Sequence, residues 1–166
     1  IFIRILLIPI LIFSWFSSQT KYLEKTISVI FITVIFISID TFYQYIQYDP
    51  EFGFGKDFFG FTSNWYGRLV GPFGNELIPG AYLSKFSFLG LIFLIIKIKN
   101  DTYLKISSIL YLSFIGLVIF ASGERMALAT YGMGFLFLFI FYRNKRMIFI
   151  LSLIFFIFLS FMAMKI

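Results

Sequence analysis

The sequence contains no cysteine and no histidine, and only 13% of its 166 residues are charged. Without cysteine, these residues cannot form a disulfide, a thiolate zinc site or an iron–sulfur cluster. Without histidine, they also lack the commonest general base and metal ligand. Because a soluble domain carries about 25% charged residues, this chain has too little charge to cover a soluble surface. These shortages exclude a soluble enzyme, a disordered chain and a disulfide scaffold.

Hydrophobic residues make up 60% of the chain and are arranged in long apolar runs. A membrane-spanning helix needs about 20 predominantly apolar residues. Six segments approach that length: 1–17, 27–47, 81–96, 106–121, 126–142 and 147–164. The pattern therefore predicts an all-α fold, a polytopic bundle of about six transmembrane helices. In the fifth segment, Thr130 and Gly134, with Gly132 between them, predict a face for close helix packing.

The positions of lysine and arginine predict the orientation of the bundle. Eight of the 14 follow the first, third and fifth apolar segments: Lys21, Lys25, Lys97, Lys99, Lys105, Arg143, Lys145 and Arg146. Because positively charged loops favour the cytoplasm, segment 48–80 and the turn near 122–125 are predicted to face outward. We interpret the basic cluster at 143–146 as a topology signal that contacts anionic membrane lipids, and not as a nucleic-acid patch.

Segment 48–80 differs from the apolar runs around it. It holds seven of the 12 glycines and three of the four prolines, a density that forbids a long helix and favours tight turns. It is also rich in aromatic rings, among them Phe52, Phe54, Phe58, Phe59, Phe61, Trp65, Tyr66 and Phe73. Two interpretations remain open for these rings. They form either an aromatic cap at the outer membrane interface or platforms for sugar rings.

Two arginines at outward positions are candidate anion-binding residues. Arg68 lies in a glycine-rich run whose backbone can come close to a ligand. Arg125 follows a short turn and is predicted to begin a helix, where backbone N–H groups also favour an anion. Since guanidinium groups fork onto phosphate oxygens, two arginines on one face of the bundle suit a pyrophosphate. The alternative is that each arginine snorkels or pairs with Glu76 or Glu124.

Asp40 is a charged residue inside the second apolar segment. A rise of about 1.5 Å per residue places it about 20 Å along a span of about 30 Å, in its outer third. Asp40 and Gln44 share one helix face, and Gln47 lies one turn further. A polar stripe at this depth is predicted to face the bundle interior. It serves either substrate binding or hydrogen bonding between helices.

The run from Arg68 to Asn75 reads Arg-Leu-Val-Gly-Pro-Phe-Gly-Asn, and Arg125 ends a later Ser-Gly-Glu-Arg turn. This pattern resembles the O-antigen ligase and O-antigen polymerase family. The family's outward loop reads approximately Arg-Leu-x-Gly-Thr-Phe-Gly-Asn-Pro-Asn, and its later turn approximately Ser-Arg-Gly. The resemblance covers roughly residues 38–135. The chain departs from it directly after Asn75 and by the two residues between serine and arginine in the turn.

The resemblance implies a polytopic, metal-independent glycosyltransferase without a cofactor, at the periplasmic face of the bacterial inner membrane. It implies a polyprenyl-pyrophosphate-linked glycan as substrate and a lipid-linked glycan or a lipid A-core as acceptor. The candidate catalytic residues are Arg68, Arg125, Glu76 and Glu124, and the candidate substrate-binding residues are Asn75, Gly71, Gly74, Trp65 and Asp40.

In this interpretation the arginines neutralise the leaving pyrophosphate. One of the two glutamates, or a base beyond Ile166, activates the acceptor hydroxyl. The chain begins at Ile1 and stops inside an apolar run, so we expect residues 1–166 to be one internal fragment of a larger membrane domain. The alternative function is a lipid-linked oligosaccharide flippase or another transporter, although transporters usually bind their substrates near the midplane.

Overall fold

The computed structural model describes residues 20–47, 49–51 and 53–163, and the first predicted span, 1–17, lies outside them. Within the described residues the chain is helical and contains no strand. The α-helices are α1 (Thr20–Ile46), α2 (Pro79–Lys97), α3 (Asp101–Ala121), α4 (Arg125–Phe141) and α5 (Arg146–Ala163). Two short 3-10 helices, Gly71–Phe73 and Arg143–Lys145, lie between them. The predicted all-α fold is confirmed.

Four stretches are long and apolar enough to cross a membrane: Tyr22–Ile46, Pro79–Lys97, Asp101–Ala121 and Arg143–Ala163. This finding is consistent with a multi-pass membrane protein. Helix α4 is apolar but has only 17 residues. At about 1.5 Å per residue it is about 25 Å long, against a hydrocarbon core of about 30 Å. The described residues therefore hold four helices of spanning length and one shorter helix, where the sequence predicted five spans.

Helices α1 and α3 begin earlier than the apolar runs that predicted them. The predicted starts were 27 and 106, whereas the helices start at Thr20 and Asp101. At α3 the reason is Asn100, whose side-chain oxygen accepts hydrogen bonds from the N–H groups of Thr102 (3.0 Å) and Tyr103 (3.3 Å). Such an N-cap lets a helix begin in polar sequence, beyond the apolar stretch.

Helix α3 lies at the centre of the bundle and is hydrogen-bonded to three neighbours. The Tyr111 hydroxyl donates to the Ser87 carbonyl of α2 (2.8 Å), and the Tyr131 hydroxyl of α4 donates to the Leu112 carbonyl (2.7 Å). The Ser113 hydroxyl donates to the carbonyl oxygen of Ser152 in α5 (2.9 Å). Leu112 is fully buried. Interhelical hydrogen bonds of this kind fix how apolar helices pack.

The predicted small-residue face of α4 is correct at one position and wrong at two. A Cβ atom on Gly134 would lie 2.2 Å from the Phe88 ring, so the missing side chain lets α4 approach α2. Thr130 instead is exposed, and its hydroxyl donates to the Met126 carbonyl of its own helix (2.8 Å). A Cβ atom on Gly132 would meet no atom within 4 Å. Of the three residues, only Gly134 meets a neighbouring helix within the described part of the chain.

The helix ends alternate between two ends of the bundle. At one end, Lys97 pairs with Glu24, and Asp101 pairs with Lys105 (2.6 Å) and Lys145 (2.5 Å). At the opposite end, segment 49–78 and the turn after α3 lie together. This arrangement agrees with the predicted up-and-down order of the helices, while the side on which each end lies stays a prediction.

We expect reporter fusions to place the loop end outside the cell membrane. Fusions after Asn64 and Glu124 should be active with alkaline phosphatase, which works in the periplasm. Fusions after Asn100 and Asn144 should be active with a fluorescent protein that folds in the cytoplasm. The physical reason is the excess of lysine and arginine at the second pair of sites. The reverse pattern would move the candidate arginines to the cytoplasmic side and contradict the predicted orientation.

Candidate functional site

The segment between α1 and α2 is held against the end of α1 by Gln44, a fully buried side chain. Its amide nitrogen donates to the Phe61 carbonyl oxygen (3.1 Å). Its amide oxygen accepts from the N–H groups of Val70 (3.1 Å) and Gly71 (3.0 Å). One side chain thus supplies hydrogen-bond partners to three backbone groups of the loop. This segment, residues 49–78 with 52 outside the description, is called the outward loop below.

Asp40, one turn before Gln44, is fully buried and also binds the outward loop. Its Oδ1 atom accepts a hydrogen bond from the Phe58 N–H (2.8 Å), and its Oδ2 atom has no partner among the described residues. The predicted inward-facing stripe is correct at Asp40 and Gln44, and wrong at Gln47, which is exposed because it lies past the last residue of α1. Among the described residues, the hydrogen bond to Asp40 comes from the outward loop and not from another helix. A role of Asp40 in substrate binding stays a prediction.

Asp40→Asn is expected to leave abundance unchanged. The asparagine carbonyl oxygen can still accept from the Phe58 N–H, and the uncharged amide avoids burying a carboxylate. Asp40→Ala removes the acceptor and should lower abundance, because the Phe58 N–H then stays unpaired. Immunoblots of membranes with both variants, alongside assembled glycan, provide the measurement. Normal abundance of the asparagine variant with lost glycan would show instead that the charge of Asp40 matters to activity.

A second aspartate, which the sequence analysis did not select, shapes the middle of the loop. Asp57 is buried, and its Oδ1 atom accepts from the N–H groups of Phe59 (3.0 Å) and Phe61 (2.6 Å). The backbone N–H of Asp57 in turn donates to the Phe61 carbonyl (3.0 Å). Aspartate before glycine in a turn-rich stretch is the sequence signal for such a turn. This turn presents the rings of Phe58 and Phe59 at the surface.

Gly71 is required by a close approach within the chain itself. Its φ is +50°, and a Cβ atom there would lie 2.4 Å from the Thr41 hydroxyl oxygen of α1. Gly74, at the end of the following 3-10 helix, has a φ of +68°. Both conformations favour glycine. The sequence predicted that this run comes close to a ligand. The structure shows that Gly71 comes close to α1, and the ligand role of both glycines stays a prediction.

The Arg68 segment lies against the turn that joins α3 to α4. The Leu69 N–H donates to the Ser122 carbonyl oxygen (3.3 Å), and a Cβ atom on Gly123 would be 2.2 Å from the Gly67 carbonyl oxygen. Gly123 has a φ of +74°, so the turn needs glycine for two reasons. The segments that carry Arg68 and Arg125, 57 positions apart, are thereby neighbours. Both arginines are exposed.

Glu124 joins this turn to the start of α2. Its two carboxylate oxygens accept from the N–H groups of Gly80 (2.9 Å) and Ala81 (3.0 Å). Those N–H groups belong to the first turn of a helix, where a carboxylate interacts favourably with the helix dipole. Burial raises the pKa of Glu124, while the two hydrogen bonds and the positive charge of Arg68 act in the opposite direction. Glu124 therefore links Arg68, α2 and α4 at one point.

The remaining candidate residues lie on the open surface of the outward loop. Asn75 and Glu76 follow the 3-10 helix and are exposed. Trp65 is 63% exposed, and its backbone is fixed by a turn with the Ser63 hydroxyl. In the described part of the loop, five rings are exposed: Phe58, Phe59, Phe61, Trp65 and Tyr66. An aromatic surface of this kind fits both interpretations, the interfacial cap and the sugar platform.

Within residues 20–47, 49–51 and 53–163, no group of three or more acidic side chains is arranged to hold a metal ion. The chain matches no protein-family model, no curated protein and no solved structure in the comparisons. At the loop end of the bundle, the Arg68 segment, the turn before Arg125, Glu124 and the start of α2 lie together.

Proposed function

We propose that this chain is part of a membrane glycosyltransferase that transfers or polymerises a polyprenyl-pyrophosphate-linked glycan. The acceptor is another lipid-linked glycan or a lipid A-core, and the reaction takes place at the periplasmic face of the bacterial inner membrane. The proposal follows the resemblance to the O-antigen ligase and polymerase family. One structural observation supports it most, the contact between the Arg68 segment and the 122–124 turn.

The contact matters because the chemistry requires positive charge at one place. When the glycosidic bond to the carrier breaks, a pyrophosphate leaves with charge on two phosphoryl groups. An arginine binds phosphate oxygens in a bidentate manner and remains charged at any physiological pH. Arg68 and Arg125 flank one turn, are both exposed and lie at the predicted outer face. In this proposal the pair contacts the leaving pyrophosphate and stabilises the charge that develops on it.

The acceptor hydroxyl also needs a group that takes its proton. Glu124 has a raised pKa, which brings a carboxylate closer to the range in which a general base works well. However, both of its oxygens are bound to backbone N–H groups, which favours a role in positioning Arg68 and α2. Glu76 is exposed and lies a few residues further along the loop from Arg68. Glu76 is the better candidate for proton removal.

Reconstitution of the full-length parent protein separates this proposal from the flippase alternative. Proteoliposomes would receive a fluorescent polyprenyl-pyrophosphate-linked oligosaccharide together with a lipid-linked acceptor. A glycosyltransferase produces a longer glycan and free polyprenyl pyrophosphate, whereas a flippase only moves the labelled lipid to the other leaflet. We expect chain extension that stops when Arg68 and Arg125 are both replaced by alanine. Movement of the lipid without any new glycosidic bond would overturn the proposal.

A further inference from the structure

An apolar groove with a volume of about 630 Å³ runs between α4 and α5. The residues that line it include Leu128, Gly132 and Leu136 of α4 and Phe149, Leu153 and Phe156 of α5. The groove exists because α5 packs mainly against α3 and leaves its side toward α4 open. Gly132 adds to the space, since a Cβ atom there would meet nothing within 4 Å.

Arg125 lies at the outer end of the same face of α4. Positions 125, 128, 132 and 136 follow each other at helical spacings of three and four, so they form one stripe along the helix. At about 1.5 Å per residue, the stripe runs about 16 Å from Arg125 into the membrane. Arg125 is exposed, and no hydrogen bond or ion pair engages its guanidinium among the described residues. An apolar groove thus leads from one cation toward the bilayer centre.

We propose that this groove binds the isoprenoid chain of the carrier lipid whose pyrophosphate lies at Arg125. The inference rests on the proposed function and adds to it the place of the lipid chain. One groove that ends at Arg125, beside the Arg68 segment, matches a ligand that has a single apolar chain and one pyrophosphate head. A diacyl phospholipid carries two chains. An apolar surface in a membrane gains little free energy when it leaves lipid for protein. Selectivity for polyprenyl pyrophosphate over other lipids therefore comes from packing in the groove and from the charge of the pyrophosphate.

The test measures binding of long-chain polyprenyl pyrophosphate to the full-length parent protein in nanodiscs of uncharged phosphatidylcholine. Gly132→Phe fills the groove at a position with free space, so the variant should fold normally. It should weaken binding about tenfold or more. Leu136→Trp, run in parallel, fills the groove from a second position. Thr130→Phe is the matched control, because it adds the same ring to an exposed position of α4 outside the groove and should bind like the wild type.

Inorganic pyrophosphate serves as the probe for the site at Arg125 that binds the pyrophosphate head group, without the isoprenoid chain. We expect it to compete equally well in the wild type and in Gly132→Phe, and poorly in Arg125→Ala. Both groove-filling variants could bind polyprenyl pyrophosphate like the wild type, with binding lost only in Arg125→Ala. That result would overturn the proposal that the groove binds the isoprenoid chain, and it would leave the proposed function standing. No binding of polyprenyl pyrophosphate to the wild type would count against the proposed function itself.

Two further outcomes would also overturn the groove proposal. The first is displacement of polyprenyl pyrophosphate by phosphatidylglycerol at equal concentration, which would show a general lipid site. The second comes from a photo-reactive benzoylphenylalanine placed at Leu136, which lines the groove. We expect it to attach to polyprenyl pyrophosphate on illumination. Attachment to another segment of the parent protein would show that a further helix occupies the groove.

Discussion

Replacement of Arg68 or Arg125 by alanine is expected to abolish assembly of long glycan on the cell envelope. Loss of one donor that stabilises charge in a transition state typically lowers the rate about 10²–10³-fold. The effect should be this large because a pyrophosphate in a low-dielectric site needs both cations. Lys56→Ala is the matched control. Lys56 is an exposed cation of the same outward loop, remote from the 122–124 turn in sequence, and its loss should leave glycan unchanged.

Lysine substitutions at position 68 or 125 test whether the positive charge alone is enough or the shape of the guanidinium is also required. Arg68→Lys and Arg125→Lys keep the positive charge but lose the planar fork that binds two phosphate oxygens at once. Each should therefore reduce glycan length and amount without abolishing assembly. Because both arginines are proposed to bind one pyrophosphate, the double alanine variant should be no worse than the worse single variant. Immunoblots of the membrane fraction must accompany each assay, since a misfolded bundle also makes no glycan.

The contrary result is equally clear. If Arg68→Ala and Arg125→Ala both accumulate normally and still support wild-type glycan, these arginines are anchors at the membrane surface. Snorkelling cations of that kind contribute little when removed. The proposed glycosyltransferase would then rest on the resemblance of the Arg68 to Asn75 run alone. Loss of abundance in both variants, with normal abundance in both lysine variants, would point instead to a structural role in the contact with the turn.

The helical fold was predictable because apolar runs of membrane length have few alternatives. A backbone in lipid must satisfy its hydrogen bonds internally, so such runs form helices whatever their detailed sequence. The helix starts were not predictable from hydropathy, since the N-cap Asn100 lies in polar sequence. The packing face of α4 was not predictable either. Gly132 and Gly134 look alike in the sequence, and only the position of Phe88 distinguishes them.

The residues of the candidate site were predictable from the sequence, but their hydrogen-bond partners were not. Glycine and proline density identified the outward loop, and the spacing of Asp40 and Gln44 identified a polar stripe. Their partners are backbone groups up to 27 positions away, and a backbone N–H carries no signature in the sequence. The bond from Glu124 to the start of α2 spans 44 positions and is hidden for the same reason. Local patterns show which side chains need partners, and tertiary structure supplies them.

Replacement of Gln44 by leucine is expected to release the outward loop from α1. Leucine has a similar size but neither donor nor acceptor, so the Val70 and Gly71 N–H groups lose their partner. The Phe61 carbonyl loses one of its two donors and keeps the Asp57 N–H. Each buried group left unpaired costs about 1–3 kcal/mol. We expect a lower melting temperature of the full-length protein in detergent. We also expect faster tryptic cleavage in the loop at Lys56, measured by mass spectrometry of the fragments.

Two further substitutions make this test specific to the hydrogen bonds of Gln44. Gln44→Glu keeps an acceptor for the Val70 and Gly71 N–H groups, but as a carboxylate it cannot donate to Phe61 and it buries a charge, so its melting temperature should lie below that of the wild type. Gln47→Leu is the matched control, because Gln47 is exposed and its side chain bonds only to the nearby Tyr43 hydroxyl. Exposed substitutions of this kind usually change stability by less than about 0.5 kcal/mol. Equal melting temperatures and equal cleavage rates for the two leucine variants would show that the loop is held by its other contacts, the Asp40 bond to Phe58 and the Leu69 bond to Ser122.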